Sequence, residues 1–369
     1  MSLLALRPRA TLGVDLGAVT ANVRTIKSRT AGELMAVVKA DGFGHGQVDV
    51  ARAALAGGAT RFGVTSIDEA RPLRDAGLTQ RVLSWLNPPG AEFGAAARLG
   101  VELGVPGLEH LRAIVRTAPG ARIHLHLDTG MGRDGAEPAE WDRLCRAARD
   151  AELRGDVQVV GIMGHLPCAD RPGHAANARG RDRFAWGVGV ARAAGLRPAD
   201  LHLAATAATL SDPLSHHTMS RIGAGLVGID ESGTVRLRPA LTLTAPLVTV
   251  RHVPAGTPVG YGHTWTARRP TRLGLLPVGY ADGLPRLASG RAEVQVGGAR
   301  RPVVGRISMD MTVVDLGPDS GVCPGDLVTV FGPGEDGEPT TAEWAGWART
   351  LEHEIVTGLS ARLHRRSTP

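Results

Sequence analysis

Leu34-Met-Ala-Val-Val-Lys-Ala-Asp-Gly-Phe-Gly-His-Gly46 runs apolar for five residues, stops on a lysine and continues as a glycine-rich turn. A short apolar run that ends at a turn reads as a buried strand, because a helix needs a longer periodic stretch. Working outward, similar runs recur at 61–65, 81–85, 101–105, 122–127, 157–163, 201–204 and 225–229. Between them lie Ala- and Arg-rich stretches with helical spacing, such as 68–76, 107–117 and 140–153. Strand and helix alternating eight times predict an α/β fold, a (β/α)8 TIM-like barrel. A doubly wound open sheet competes, but no G-x-G-x-x-G turn follows the first strand.

Beyond about residue 236 the rhythm changes. Stretches 241–250, 271–278, 293–296, 311–316 and 327–331 are strand-like and separated by Gly and Pro, and helical spacing returns at 341–351. The expectation is a barrel over 10–235 and a mainly β C-terminal domain over 236–369, with the boundary within 233–239. Residues 1–9 are expected to join the β domain, since 3–12 could pair into it as a strand.

Composition narrows the function. The chain has 369 residues, 43% of them hydrophobic, enough for two domain cores. No stretch approaches the ~20 apolar residues of a membrane helix, and the N-terminus lacks a signal-peptide pattern, so a cytoplasmic protein is expected. Cys145, Cys168 and Cys323 are odd in number and far apart, which argues against a disulfide framework. No His/Cys spacing reads as a metal site, and His124-x-His126 reads as one face of a strand. The net charge of +6 comes from scattered Arg residues with only 4% aromatics, so neither nucleic acid nor membrane is the expected partner. An anionic small molecule fits.

The basic residues carry a sharper signal. Of 42, only Lys27 and Lys39 are lysines. Arg supplies positive charge wherever charge suffices, so a lysine that ends an apolar strand points to a need for its amine. An amine can lose its proton and attack a carbonyl, as guanidinium cannot. Lys27 fits an ordinary helix face. In a barrel, groups at the C-terminal strand ends share one mouth. Arg133, His165 and Thr206 follow strand ends, and Arg221 lies on the approach to the last run with Gly223 and Gly225 behind it. An amine, two guanidiniums, an imidazole and a glycine-rich turn suit an anionic, aromatic, aldehyde-bearing cofactor, pyridoxal 5′-phosphate.

Five motifs carry a family resemblance, in order along the chain. They are Ala36-Val-Val-Lys-Ala-Asp-Gly-Phe-Gly-His-Gly46, Asp128-Thr-Gly-Met-Gly-Arg133, Val259-Gly-Tyr-Gly-His-Thr-Trp265, Pro277-Val-Gly-Tyr-Ala-Asp-Gly283 and Val304-Gly-Arg-Ile-Ser-Met-Asp310. Together they resemble the bacterial alanine racemases over about residues 10–365. The resemblance implies an N-terminal barrel, a C-terminal β domain and a homodimer with shared active sites. It implies that Lys39 carries the cofactor as a Schiff base, and that Lys39 and Tyr261, the latter from the partner subunit, move the α-proton of an amino acid on opposite faces. By the same resemblance Arg221 faces the pyridine nitrogen and His165 lies near the ring. Phe43, Thr206, Gly223 and Ala224 fall at the phosphate. Arg133 and the Met309 backbone meet the substrate carboxylate, and Asp310 supports them. The implied product is D-alanine for cell-wall synthesis.

The chain also departs from the family pattern. Phe43 replaces a Tyr, Ala205-Thr206 an Asn-Ser pair, His126 a Lys, Val227 a Tyr, Ser308 a Cys and Ala361 a Tyr. These changes leave open a racemase of serine or a larger amino acid. A decarboxylase of the same fold and a non-catalytic cofactor-binding protein are the readings from other classes. Tyr261 and the full second domain speak against both.

Overall fold

The structure, a computed structural model, describes residues 10–369, so the expected place of residues 1–9 lies outside the described residues. It forms two compact units, one of Val19–Leu237 and one in which Arg238–Pro369 is joined by residues 10–18. The barrel unit therefore starts later than residue 10. Strand β1 (Thr11–Asp15) pairs antiparallel with β10 (Leu241–Pro246) and parallel with the last strand of the chain.

The first unit is the barrel. Strands β2 (Glu33–Val37), β3 (Arg61–Val64), β4 (Val82–Ser84), β5 (Val101–Val105), β6 (Ala121–His126), β7 (Val157–Met163), β8 (Asp200–His202) and β9 (Met219–Ile222) form one parallel sheet. Its order, β8-β7-β6-β5-β4-β3-β2-β9, nearly closes the cylinder. The seam between β8 and β9 is bridged by the Arg221 N–H on the Ala204 carbonyl at 3.0 Å. The Thr218 hydroxyl accepts from the Leu201 N–H at 2.7 Å and donates to its carbonyl at 3.2 Å. Thr218→Val removes both and should lower stability by about 1 kcal/mol in urea unfolding.

Inside the barrel Met35, Val37, Leu83, Met163 and Met219 pack with Trp85. The indole takes its space from its neighbours. A Cβ on Gly63 or Gly104 would each come within 2.8 Å of Trp85.

One expected strand is corrected. The eighth strand is Met219–Ile222, not 225–229. Residues Ala224–Val227 instead form a buried 3-10 turn that ends at Gly228 with φ 96°. A buried apolar run has the same pattern in either conformation. The true strand was hidden because Ser220 and Arg221 point into the fold, and all four of its residues are buried. Arg221 thus sits within the strand, paired with Met35 of β2.

The second unit adds β11 (Thr249–Val253), β12 (Pro258–Val259), β13 (Trp265–Thr266), β14 (Thr271–Leu276), β15 (Glu293–Val296), β16 (Ala299–Val304), β17 (Thr312–Asp315), β18 (Leu327–Phe331) and β19 (His364–Thr368). Nine strands form one sheet in the order β11-β14-β17-β16-β15-β18-β10-β1-β19, while β12 and β13 make a separate ribbon. The stretch 241–250 splits in two at Pro246, which ends β10 and has no N–H for a ladder. Strands β16 and β19 had no apolar alternation to announce them: Arg300-Arg301-Pro302 and His364-Arg365-Arg366 are held by pairing rather than by pattern.

Candidate active site

Lys39 leaves β2 into an unusual turn. Ala40, Asp41, Gly42 and Phe43 have φ of 51°, 53°, 62° and 57°, a left-handed run that is costly for the three side-chain-bearing residues. Side chains hold it in place. Glu69 accepts the Ala40 N–H at 2.9 Å with one oxygen, and with the other accepts from Thr65 N–H and hydroxyl at 2.8 and 2.7 Å. Asp41 accepts the Gln47 N–H at 2.9 Å. Glu69 was missed from sequence because Ser66-Ile-Asp-Glu69 reads as an ordinary helix start, and Ser66 does cap the Glu69 N–H at 3.3 Å.

The half-buried Lys39 amine has its pKa lowered, first by loss of solvent and then by the Arg133 and Arg221 cations, with Glu69 opposing. Arg221 is buried and makes five contacts. It donates to His202 Nδ1 at 3.1 Å, His202 O at 2.8 Å, Gly164 O at 2.7 Å, His165 Nδ1 at 3.1 Å and Leu203 O at 3.3 Å. Every acceptor is neutral. Burial brings the Arg221 pKa down to about 10, still charged at neutral pH.

Burial, with Arg221 next, pushes His165 down to about 3. Neutral His165 must therefore accept from Arg221 at Nδ1. Below its ordinary pKa of 6.5 the unfolded chain binds a proton that the folded chain refuses, so stability falls as pH drops from 6.5 toward about 3. Thermal unfolding of the protein at pH 7 and pH 5 should show this fall, and His165→Asn should make it shallower, with the buried His202, also lowered by burial, keeping part of it.

Arg133 is exposed beside the Asp128 turn, where Asp128 accepts the N–H groups of Gly130, Met131 and Gly132. His126, where the family pattern has Lys, points to Asp134, with Nδ1 to Oδ2 at 3.4 Å. The Thr206 hydroxyl accepts the N–H groups of both Gly223 and Gly225 at 3.2 Å. The Phe43 ring lies against Gly223, where a Cβ would come within 2.7 Å of Cζ. Barrel residues 39, 43, 165, 206, 221 and 223 therefore meet around one mouth. Ala224 follows Gly223 as the first residue of the 3-10 turn.

In the other unit three motifs assemble among themselves. Tyr261 stands 69% exposed on the turn between β12 and β13. Flanking Gly260 and Gly262 have φ of 71° and 70°. Gly305 leaves room for the Val259 carbonyl, which a Cβ would approach to 2.8 Å. The Tyr280 N–H donates to Ser308 O at 3.0 Å and the Ala281 N–H to Met309 O at 2.9 Å. Met309 is 53% exposed. Arg362 holds Asp310 at 2.7 Å and Asp282 at 3.5 Å, which places Asp310 in a small ion network.

Fold and site define a barrel-plus-β-domain protein of the pyridoxal-phosphate class. Its two units match the alanine racemase N-terminal domain over residues 14–231 and the alanine racemase C-terminal domain over residues 240–367. The chain belongs to the alanine racemase family. It is 46% identical over 355 residues to the alanine racemase of Salinispora tropica, covering 95% of each chain. It superposes on the crystal structure of alanine racemase from D-cycloserine producing Streptomyces lavendulae with TM-score 0.95 at 40% identity, over 98% of each chain. A second crystal structure, from Bartonella henselae with covalently bound pyridoxal phosphate, matches with TM-score 0.89 at 26% identity, over 98% of this chain and 100% of that one.

Proposed function

We propose that this chain is a pyridoxal-phosphate-dependent racemase that interconverts L- and D-alanine, with Lys39 and Tyr261 as the two proton-transfer groups. The observation that carries the reading is the strand-end amine of Lys39, depressed by burial and by two cations, near a buried Arg221 that meets only neutral acceptors. The donor set fits the cofactor. Lys39 offers an amine for its aldehyde, Thr206 a hydroxyl and Ala224 an N–H for its phosphate beside Gly223, whose own N–H is held by the Thr206 hydroxyl, and Arg221 and His165 would face its ring. When bound, the cofactor supplies an electron sink that acidifies the substrate Cα–H.

The rest is the work of the chain's own groups. Burial and the Arg133 and Arg221 cations lower the Lys39 pKa, so its Nζ gives up a proton more readily than an ordinary lysine amine and can take one back. Arg221, charged at neutral pH, would present a cation to the cofactor ring and so would disfavour a second positive charge there. In the barrel unit, Arg133 is the group proposed to hold the substrate carboxylate. Asp310, tied to Arg362, steadies the turn that presents Met309. Tyr261, exposed on its own unit, supplies its phenol to the site of a second copy, and the working form is a homodimer.

No helix among the described residues is long and apolar enough to cross a membrane. We place the enzyme in the cytoplasm, supplying D-alanine for cell-wall synthesis. Racemisation and α-proton exchange in deuterated water over a panel of amino acids test the assignment. Alanine should give the highest kcat/KM; a higher value for serine or a bulkier side chain would refute it.

Phe43 gives a further expectation. Its ring already lies against Gly223, so Phe43→Tyr adds a hydroxyl at the phosphate end. One neutral hydrogen bond of about 1 kcal/mol should tighten cofactor binding by about fivefold in reconstitution titrations.

A further inference from the structure

The buried face of Arg221 continues into a line of side chains that the proposed reaction does not use. His202 Nδ1 lies 3.1 Å from Arg221, His202 Nε2 lies 2.9 Å from His124 Nδ1, and His124 Nε2 lies 2.9 Å from Glu102 Oε2. All four residues are buried, with His124 and His202 fully so. They come from strands β9, β8, β6 and β5, so the line crosses the barrel interior away from the mouth.

We infer that Glu102, acting through His124 and His202, is a positioning residue that fixes the proton arrangement and the aim of Arg221. The inference rests on the reading of Arg221 as the group at the cofactor ring.

Donor and acceptor chemistry allows one arrangement. Guanidinium only donates, so His202 Nδ1 must be bare. Neutral His202 then carries its proton on Nε2 and donates to His124 Nδ1. His124 in turn carries its proton on Nε2 and donates to the Glu102 carboxylate. The opposite polarity would set a proton between His202 and Arg221. The carboxylate end is held ionised, since Arg81 grips Glu102 at 2.5 and 2.9 Å and Arg122 at 2.8 Å. Arg81 also bonds Asp200 at 2.7 Å, and Asp200 takes Arg61 at 2.7 Å, so the lower barrel anchors the line.

Two independent features make room for it. A Cβ on Gly161 of β7 would overlap the His124 ring, so only glycine lets that imidazole lie against β7. The β6–β7 ladder also shifts register between Ile123 and His124. The two imidazoles meet edge-on, with centroids 5.0 Å apart at 78°.

The physical consequence concerns charge. A buried guanidinium without compensation is costly, yet a carboxylate in direct contact would cancel its field at the ring. Two polarised imidazoles deliver part of the compensation from Glu102 while leaving only neutral atoms beside Arg221.

Three measurements test this. Histidine 15N NMR on the apoprotein should show His124 and His202 protonated on Nε2 alone. In Gly161→Ala, which displaces His124 and keeps every charge, at least one of the two rings should change tautomer. In the holoenzyme with 15N-labelled pyridoxal phosphate, Glu102→Gln and Gly161→Ala should shift the ring-nitrogen signal. Each should lower kcat about tenfold with KM little changed, at the low end of what orienting partners of a functional histidine contribute. Arg122→Gln, whose side chain leaves the Arg81 pair on Glu102, should leave tautomers and signal as they are. Nδ1 protonation of either ring in the wild type would overturn the line. An unchanged ring-nitrogen signal and kcat in both variants would overturn the positioning role. If Gly161→Ala does not fold, the wild-type tautomers and Glu102→Gln still decide. The tautomer readout needs no turnover, so loss of the racemase reading would be seen separately, as absence of racemisation in the wild type.

Discussion

Lys39→Arg should abolish racemisation, lowering kcat by at least the order of 10^4-fold attained by a strong general base, since covalent attachment of the cofactor is lost as well. The substitution keeps charge and approximate length and removes the one property the site needs. Burial, Arg133 and Arg221 depress the Lys39 amine, so it can shed its proton, whereas guanidinium beside the same two cations stays charged and cannot add to a carbonyl. The check is borohydride reduction of the loaded protein followed by peptide mass analysis. The wild type should carry the adduct at residue 39 and the variant nowhere. Lys27 provides an internal control, because it is the other lysine of the chain and its amine is taken by the Gly32 carbonyl at 2.7 Å. An adduct on Lys27, or racemisation surviving in Lys39→Arg, would remove Lys39 from the mechanism.

Tyr261→Phe should separate the two halves of the reaction. Inversion needs proton removal on one face and delivery on the other, and the phenol is the proposed donor and acceptor on the face away from Lys39. Its loss should cost on the order of 10²–10⁴-fold in racemisation. One enantiomer should still exchange its α-hydrogen with deuterated water through Lys39, while the other should not. Tyr280, the chain's second tyrosine, is fixed by backbone bonds to the Ser308 turn, and Tyr280→Phe serves as the comparison. Full activity in both directions for Tyr261→Phe would sink the two-base assignment.

Much of the barrel was legible because its strands are buried on both faces and read as unbroken apolar runs punctuated by glycine. Seven of the eight runs fall on strands. The eighth failed for a definite reason: Met219-Ser-Arg-Ile222 carries its polar residues inward, and the apolar Ala224–Val227 next to it is a buried turn. The same inward polar residue, Arg221, is the centre of the candidate site, so the sequence was least legible where the site is most specialised. Edge and polar strands such as β16 and β19 also escaped, since their order comes from pairing and not from a hydrophobic pattern.

For the candidate site, residue chemistry alone singled out Lys39. In a chain that uses Arg for nearly every positive charge, a lysine at a strand end points to a need for its amine. Spacing also put Arg133, His165 and Thr206 after strand ends and Arg221 on the approach to the last run, whereas the structure sets Arg221 inside β9. What spacing could not supply was long-range contact. Glu69 clamps the left-handed turn after Lys39 from a different βα unit, and Glu102, His124 and His202 join Arg221 across up to 119 positions of sequence between residues 102 and 221. In one dimension these are an ordinary helix-start glutamate, a strand carboxylate and two strand histidines. The sequence by itself determined the fold class and the family, and it singled out Lys39 as the candidate amine. Only the tertiary structure decided which neutral and charged partners surround that amine and Arg221. Closing the barrel brings together side chains whose separation along the chain carries no signal, and burial among those partners sets their protonation.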